Sequence, residues 1–154
     1  MTRLCKDKNG SACLWALFIM LAMVMLAVVV YNGVMVYTKY ETAETELQRA
    51  ATVTVDEAME NAAVRDLVLD VPAAEAEELF FGSLRELGYE QTDSGWVKRA
   101  DGQSVYALME LTVKTGGRSM TVTAVLSVPL MWDISGTSAV RIPIQARSSV
   151  LYIE

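Results

Sequence analysis

The side chains with chemical potential are few, and their spacing argues against catalysis. Glu77 and Glu78 are adjacent carboxylates of the kind general acid–base chemistry uses, yet both fall on the expected solvent face of a helix. Asp93 and Asp101 each stand beside glycine in a short polar run, where a carboxylate could hold a calcium ion weakly; turn formation accounts for the same residues. The chain has no histidine, which removes together the commonest general base and the commonest transition-metal ligand. It also lacks a Gly-x-Ser-x-Gly elbow, a phosphate-cradling glycine loop and a Cys-x-x-Cys pair. No enzyme activity, metal or cofactor is expected.

What the sequence specifies strongly is placement. Residues 12–37 contain no charged side chain. As a helix this run is about 39 Å long at ~1.5 Å per residue, against a hydrocarbon core of roughly 30 Å. A soluble helix would show a polar face, and this one offers only Asn32 near its far end. A secretory h-region is usually only ~7–15 residues long and ends at a small-residue cleavage site. Here the run is longer and ends in Tyr37-Thr38-Lys39-Tyr40-Glu41, so a retained transmembrane helix is expected. Arg3, Lys6 and Lys8 precede it against Asp7, whereas Glu41, Glu44 and Glu46 outnumber Lys39 after it. That asymmetry places the N-terminus in the cytoplasm and the C-terminal domain outside the cell membrane, in a single pass. Tyr31, Tyr37, Tyr40 and Trp15 suit the two headgroup layers.

The net charge is −6, and with the basic tail set aside the exported part carries about −8. Such a surface disfavours nucleic acid and anionic headgroups as partners. Cys5 and Cys13 both precede or enter the apolar run, so no disulfide can staple the exported domain. The order of residues around Cys13 is also wrong for lipoprotein processing, because the apolar run follows the cysteine.

Beyond residue 37 the helical pattern changes character. Apolar or small residues recur at Val36, Tyr40, Ala43, Leu47, Ala50, Ala51, Thr54, Ala58 and Ala62, at spacings of three and four. One continuous helix over 12–67 is expected, weakest at the β-branched run 52–55. The organisation is then a basic tail or leader (1–11), a transmembrane helix (12–37), an amphipathic stalk helix (38–69) and an α+β head (70–154). In the head, Pro72 and the acidic first turn start a second helix over 72–87, with Ala76, Phe80, Leu84 and Leu87 on one face, widened by Leu79 and Phe81, and Gly88 as its stop. Turns at 92–95 and 100–102 flank a short strand at 96–99. Strands at 105–114 and 119–128 form a hairpin around Gly116-Gly117. With Thr115 opposite Arg118, Val113 faces Met120, Leu111 faces Val122 and Met109 faces Ala124, so apolar residues meet apolar ones throughout. A last strand, 140–152, carries Pro143 and belongs at an edge or is bulged there. In the preceding loop, Met131 and Trp132 suit either a plug for the sheet or a contact with a partner. The fold class is α+β: an antiparallel sheet with a packed helix behind a long N-terminal helix.

Some of these residues resemble a known family. Lys8-Asn9-Gly10-Ser11-Ala12, followed at once by the apolar helix, resembles the leader junction of type IV pilin-like proteins. The run 40–51, ending Glu46-Leu47-Gln48-Arg49-Ala50-Ala51, looks like the segment after the anchor in TadE-like proteins of Tad/Flp pilus systems. The stretch Ile142-Pro143-Ile144-Gln145-Ala146-Arg147-Ser148-Ser149 is similar to the closing strand of their Gram-positive relatives. The resemblance implies a pilin-like fold and cleavage by a prepilin peptidase between Gly10 and Ser11. Trp15 stands where pilin-like proteins usually carry glutamate, at the fifth position of the mature chain. That departure favours a minor pseudopilin or an uncleaved assembly component over a major filament subunit.

The expected function is therefore mechanical: a structural or assembly component of a Tad/Flp-type pilus or secretion apparatus. Its partners would be the lipid bilayer and other pilin-like or Tad assembly membrane proteins in an oligomeric complex. In lipid, helices associate by close packing of small residues and a few polar contacts. Ala16, Ala22, Ala27, Asn32 and Gly33 are the candidates in the membrane, with Tyr40, Ala43, Leu47 and Ala50 continuing the contact outside. A bulky side chain at Ala43 or Ala50 is expected to block assembly and leave the head folded. The alternative is a membrane-anchored extracytoplasmic binding or scaffold module unrelated to pili.

Overall fold

A computed structural model describes residues 8–65, 73–100, 103–116, 119–130 and 138–149. The chain divides into two compact units, Met1–Met35 and Val36–Glu154. A single helix, α1 (Lys8–Arg65), contributes to both and is unbroken through the threonine–valine run at 52–55. Tertiary packing outweighs the low helix propensity there, because Thr54 and Val55 are fully buried.

In the first unit the helix shows apolar side chains on every side. Leu14 is 70% exposed, Trp15 65%, Leu21 60% and Val30 57%. One helix near the N-terminus is thus long and apolar enough to cross a membrane. Trp15 and Phe18, three residues apart on one face, meet edge to face at 6.2 Å.

The second unit is a two-layer α+β head. A second helix, α2 (Ala73–Glu86), is followed by β1 (Tyr89–Thr92), β2 (Gly95–Ala100), β3 (Gln103–Gly116), β4 (Ser119–Pro129) and β5 (Ala139–Ser149). The strands form one antiparallel sheet in the order β1-β2-β3-β4-β5. Both helical segments cover the same face of it. From α2 come Ala76, Phe80 and Leu84, flanked by Leu79, Phe81 and Leu87 as their spacing predicts. Phe81 stacks on Trp96 at 5.2 Å. From α1 come Ala43, Leu47, Ala50, Ala51, Val55 and Ala58, all at most 1% exposed. The alanines let the helix lie close to the strands, and Leu47 and Val55 fill the space between.

The hairpin β3–β4 departs from the expected register. Gly116 faces Ser119 and Val113 faces Val122, two residues away from the pairing expected from the sequence. Farther along, the register shifts again between Met109 and Thr112, so Leu108 faces Leu126. Glu110 sits at this bulge with φ of 52°. An extra residue in one strand exchanges the two faces of that strand beyond it. Leu111 and Val113 therefore pack inward as expected, but before the bulge the buried residues are Tyr106 and Leu108 in place of Ala107 and Met109. A second irregularity, facing β2 between Lys98 and Arg99, leaves Val105 outside both ladders. Its carbonyl accepts a hydrogen bond from Lys39 Nζ at 3.0 Å.

On β4 the buried residues are Met120, Val122, Ala124, Leu126 and Val128, the alternation expected. β5 is an edge strand, consistent with Pro143, and buries Ile144, Ala146 and Ser148. Pro72, Asp101, Met131, Trp132, Val150 and Tyr152 lie outside the described residues.

Candidate functional site

Among the described side chains, helix α1 carries one acidic residue on its sheet-facing stripe. Glu46, one turn beyond Ala43 and beside Leu47, points toward the junction of β1, β2 and β3. Three donors meet it. Tyr89 Oη donates to Glu46 Oε2 at 2.6 Å and Tyr106 Oη donates to the same oxygen at 2.9 Å. Lys98 Nζ donates to Oε1 at 2.8 Å in an ion pair. Lys98 also donates to the Leu87 carbonyl and stands 4.8 Å from the centre of the Tyr89 ring. The two hydroxyl oxygens are also 3.1 Å apart, a contact in which either can donate.

The strands dictate this convergence. Tyr89 and Lys98 are paired across β1–β2, and Lys98 and Tyr106 across β2–β3, so three consecutive strands present polar ends in one row. The bulge at Val105 brings Tyr106 into that row. Burial alone would raise the Glu46 pKa, but hydrogen bonds from Lys98, Tyr89 and Tyr106, with the Lys98 charge, hold it below the usual carboxylate value. Burial raises both tyrosines well above the ordinary phenol, with Glu46 adding to the shift. At neutral pH the group is a carboxylate held by Lys98 and by two neutral phenols. Chemically that is a clamp between helix and sheet.

A second polar contact ties α1 to the open edge of the sheet. Gln48 Nε2 donates to the Arg147 carbonyl at 2.8 Å, and its Oε1 accepts from the Arg147 backbone N–H at 3.2 Å. A side-chain amide thus pairs with the N–H and C=O of one residue of β5 as a neighbouring strand would. No protein-family model, curated protein or solved structure matches the chain. The site is accordingly read from its own geometry.

Of the residues expected to pack against other helices, Ala16, Ala22, Ala27 and Gly33 are exposed on α1. Asn32 is buried, and its Nδ2 has no hydrogen-bond partner among the described residues. The stalk residues require a correction. Ala43, Leu47 and Ala50 are buried in the head's own core, with Tyr40 packed beside them, so their surface faces this chain's sheet and is closed to a neighbouring helix. Gly10 and Ser11 lie in the first turns of α1. Glu46, Tyr89, Lys98, Tyr106 and Gln48 were not singled out by sequence reasoning. One signal was available: a carboxylate in phase with a stripe of alanines.

Proposed function

We propose that this chain is a single-pass membrane protein with a cytoplasmic N-terminus, acting as a pilin-like structural component of a Tad/Flp-type assembly. The observation that carries the reading is the exposure, on all sides, of the apolar segment of a helix whose other half is built into an α+β head. Each large apolar side chain left in water forgoes about 1.5–3 kcal/mol of burial, and a bilayer supplies that burial along the whole segment. The resemblance to type IV pilin-like proteins at 8–12 and to TadE-like proteins and their Gram-positive relatives at 40–51 and 142–149 supports the choice of assembly.

Packing with like proteins then falls to the membrane segment, since the stripe at 43–50 is closed. Ala16 and Ala27 are eleven positions apart and share a face; Ala22 and Gly33 have the same separation on a face about a third of a turn away. Small residues on two faces let two neighbouring helices approach closely. The test is site-directed cross-linking in native membranes. Single cysteines in place of Ala16 or Ala22 should yield products with like proteins after Cys5 and Cys13 are replaced by serine. A chain released by alkaline washing, or one that cross-links to nothing, refutes the reading. Amino-terminal sequencing of the extracted protein decides whether a peptidase cuts between Gly10 and Ser11.

A further inference from the structure

The five-stranded sheet has two faces, and α1 and α2 both lie on the same one. Alternate residues of β3, β4 and β5 point the other way, and among the described residues no helix or strand of this unit lies over them. Register sets them in rows. Lys114, Thr121 and Arg147 form one row, and Met109, Val125 and Pro143 form another. The bulge at Glu110 leaves a shallow groove between them. Between these rows lie Thr112, Thr123 and Gln145, with Glu110 at the groove, and the ends of the face carry the basic side chains. Lys114, Arg141 and Arg147 are exposed with no ion-pair partner among the described residues, whereas Arg99 is paired with Glu90 at 2.9 Å.

The opposite surface of the head has the other sign. The outward sides of the helices expose Glu41, Glu44, Asp56 and Glu57 on α1 and Glu77 and Glu78 on α2, against Arg49 and Arg85. We infer that the uncovered sheet face receives the acidic helical face of a second copy of this chain. Complementary charge selects the partner at an interface and its orientation. A second copy has the required surface, and a shared membrane would hold copies near one another at high effective concentration. The two faces lie on opposite sides of one head, so a copy that offers its helices still has its sheet open. Such a contact is heterologous and propagates into a row.

This inference rests on the assembly reading above, and the experiment separates the two. Thr112→Cys on the sheet face and Ala74→Cys on α2 are placed in the full-length chain, with Cys5 and Cys13 replaced by serine, and native membranes are oxidised. The expected result is a ladder at multiples of the monomer's own mass in those membranes, 16.9 kDa for the uncleaved chain. Lys114→Glu with Arg147→Glu should lower the cross-linked yield about 10-fold or more, as should Glu77→Lys with Glu78→Lys, and combining all four should restore it. Thermal unfolding of each variant should match the parent, because all four side chains are exposed. Absence of the ladder, products of other masses, or a yield indifferent to charge reversal overturns the inference. Ala22→Cys in the same membranes reports anchor packing: if it cross-links while the head pair does not, this inference alone fails, and if neither does, the assembly reading fails with it.

Discussion

At the scale of single residues, the clamp around Glu46 makes the head's stability depend on pH from both sides. The folded-state pKa of Glu46 lies below its unfolded value, so its contribution is complete above the unfolded value of about 4.3 and is lost as pH falls through the folded one. The tyrosines act in the opposite sense. Their folded values are raised, so their contribution is complete below an unfolded value of about 10 and is lost as pH climbs past it. Thermal unfolding of the detergent-solubilised chain should therefore show a plateau around neutrality and a fall above pH ~10. Tyr89→Phe should flatten the alkaline fall while lowering the plateau by about 1–2 kcal/mol, since it removes one hydrogen bond to a charged group. Glu46→Ala should cost about 2–4 kcal/mol, because it leaves the half-buried Lys98 ammonium and two phenols without their acceptor. A flat profile across pH 7–11 in the parent would show that the clamp does not hold. Two backbone positions make sharper cases. A Cβ at Gly95, where φ is +133°, would meet the Leu108 carbonyl oxygen at 2.3 Å. Gly95→Ala should cost about 3 kcal/mol in denaturant titrations. Glu110 holds φ of 52° without being glycine, so Glu110→Gly should stabilise by up to about 1 kcal/mol and Glu110→Val should destabilise by a similar amount.

At the scale of elements, some were legible in the sequence and others were not, and the reasons are physical. α2 was legible because its apolar spacing, its acidic start and Gly88, with φ of +84°, all agree on one helix and one buried face. β4 was legible because nothing interrupts its alternation. β3 misleads because Val105, Ala107, Met109, Leu111 and Val113 form an unbroken alternating run, whereas Glu110 adds a residue in its middle. Periodicity then holds on one side of the bulge and inverts on the other, and only the pairing with β4 shows where. The clamp was illegible for another reason. Glu46, Tyr89, Lys98 and Tyr106 are scattered over sixty residues and meet only through tertiary packing. The α1 stripe is a packing surface, as its spacing indicates, but it packs into the core of the head of the same chain. That changes what substitution there does. Ala50→Leu inserts volume into a closed interface and should destabilise the head by about 1–3 kcal/mol, so it cannot act on assembly alone. Gln48→Ala should leave the core intact yet unmask the backbone N–H and C=O of Arg147 on an edge strand already blunted by Pro143. The expected sign is faster amide exchange at Arg147 with little change in unfolding temperature.

At the scale of the molecule, the two halves of α1 obey different solvents. Among the described residues no fully buried member of the apolar core precedes Ala43, though Val36 and Tyr40 pack against it, and the segment at 12–27 exposes its apolar surface instead. The boundary between the units, after Met35, falls between these regimes. A chain begun at Val36 should therefore keep every residue of the core and both contacts that fix α1 to the sheet, the Glu46 clamp and the Gln48–Arg147 pair. It should also lose the need for detergent, because the large apolar side chains that remain are mostly buried or half-buried. The new helix end brings orphaned backbone N–H groups, so the first turn, near Val36 to Tyr40, should fray. From Leu47 to Val55, amide exchange should stay as slow as in the full-length chain, and the acid and alkaline transitions should keep their midpoints. Near-ultraviolet circular dichroism offers a direct check, since Trp96, Tyr89 and Tyr106 report the packed state. If the shortened chain aggregates or shows only far-ultraviolet signal, the first unit is needed to fold the second, and the head is not the self-contained body its core implies.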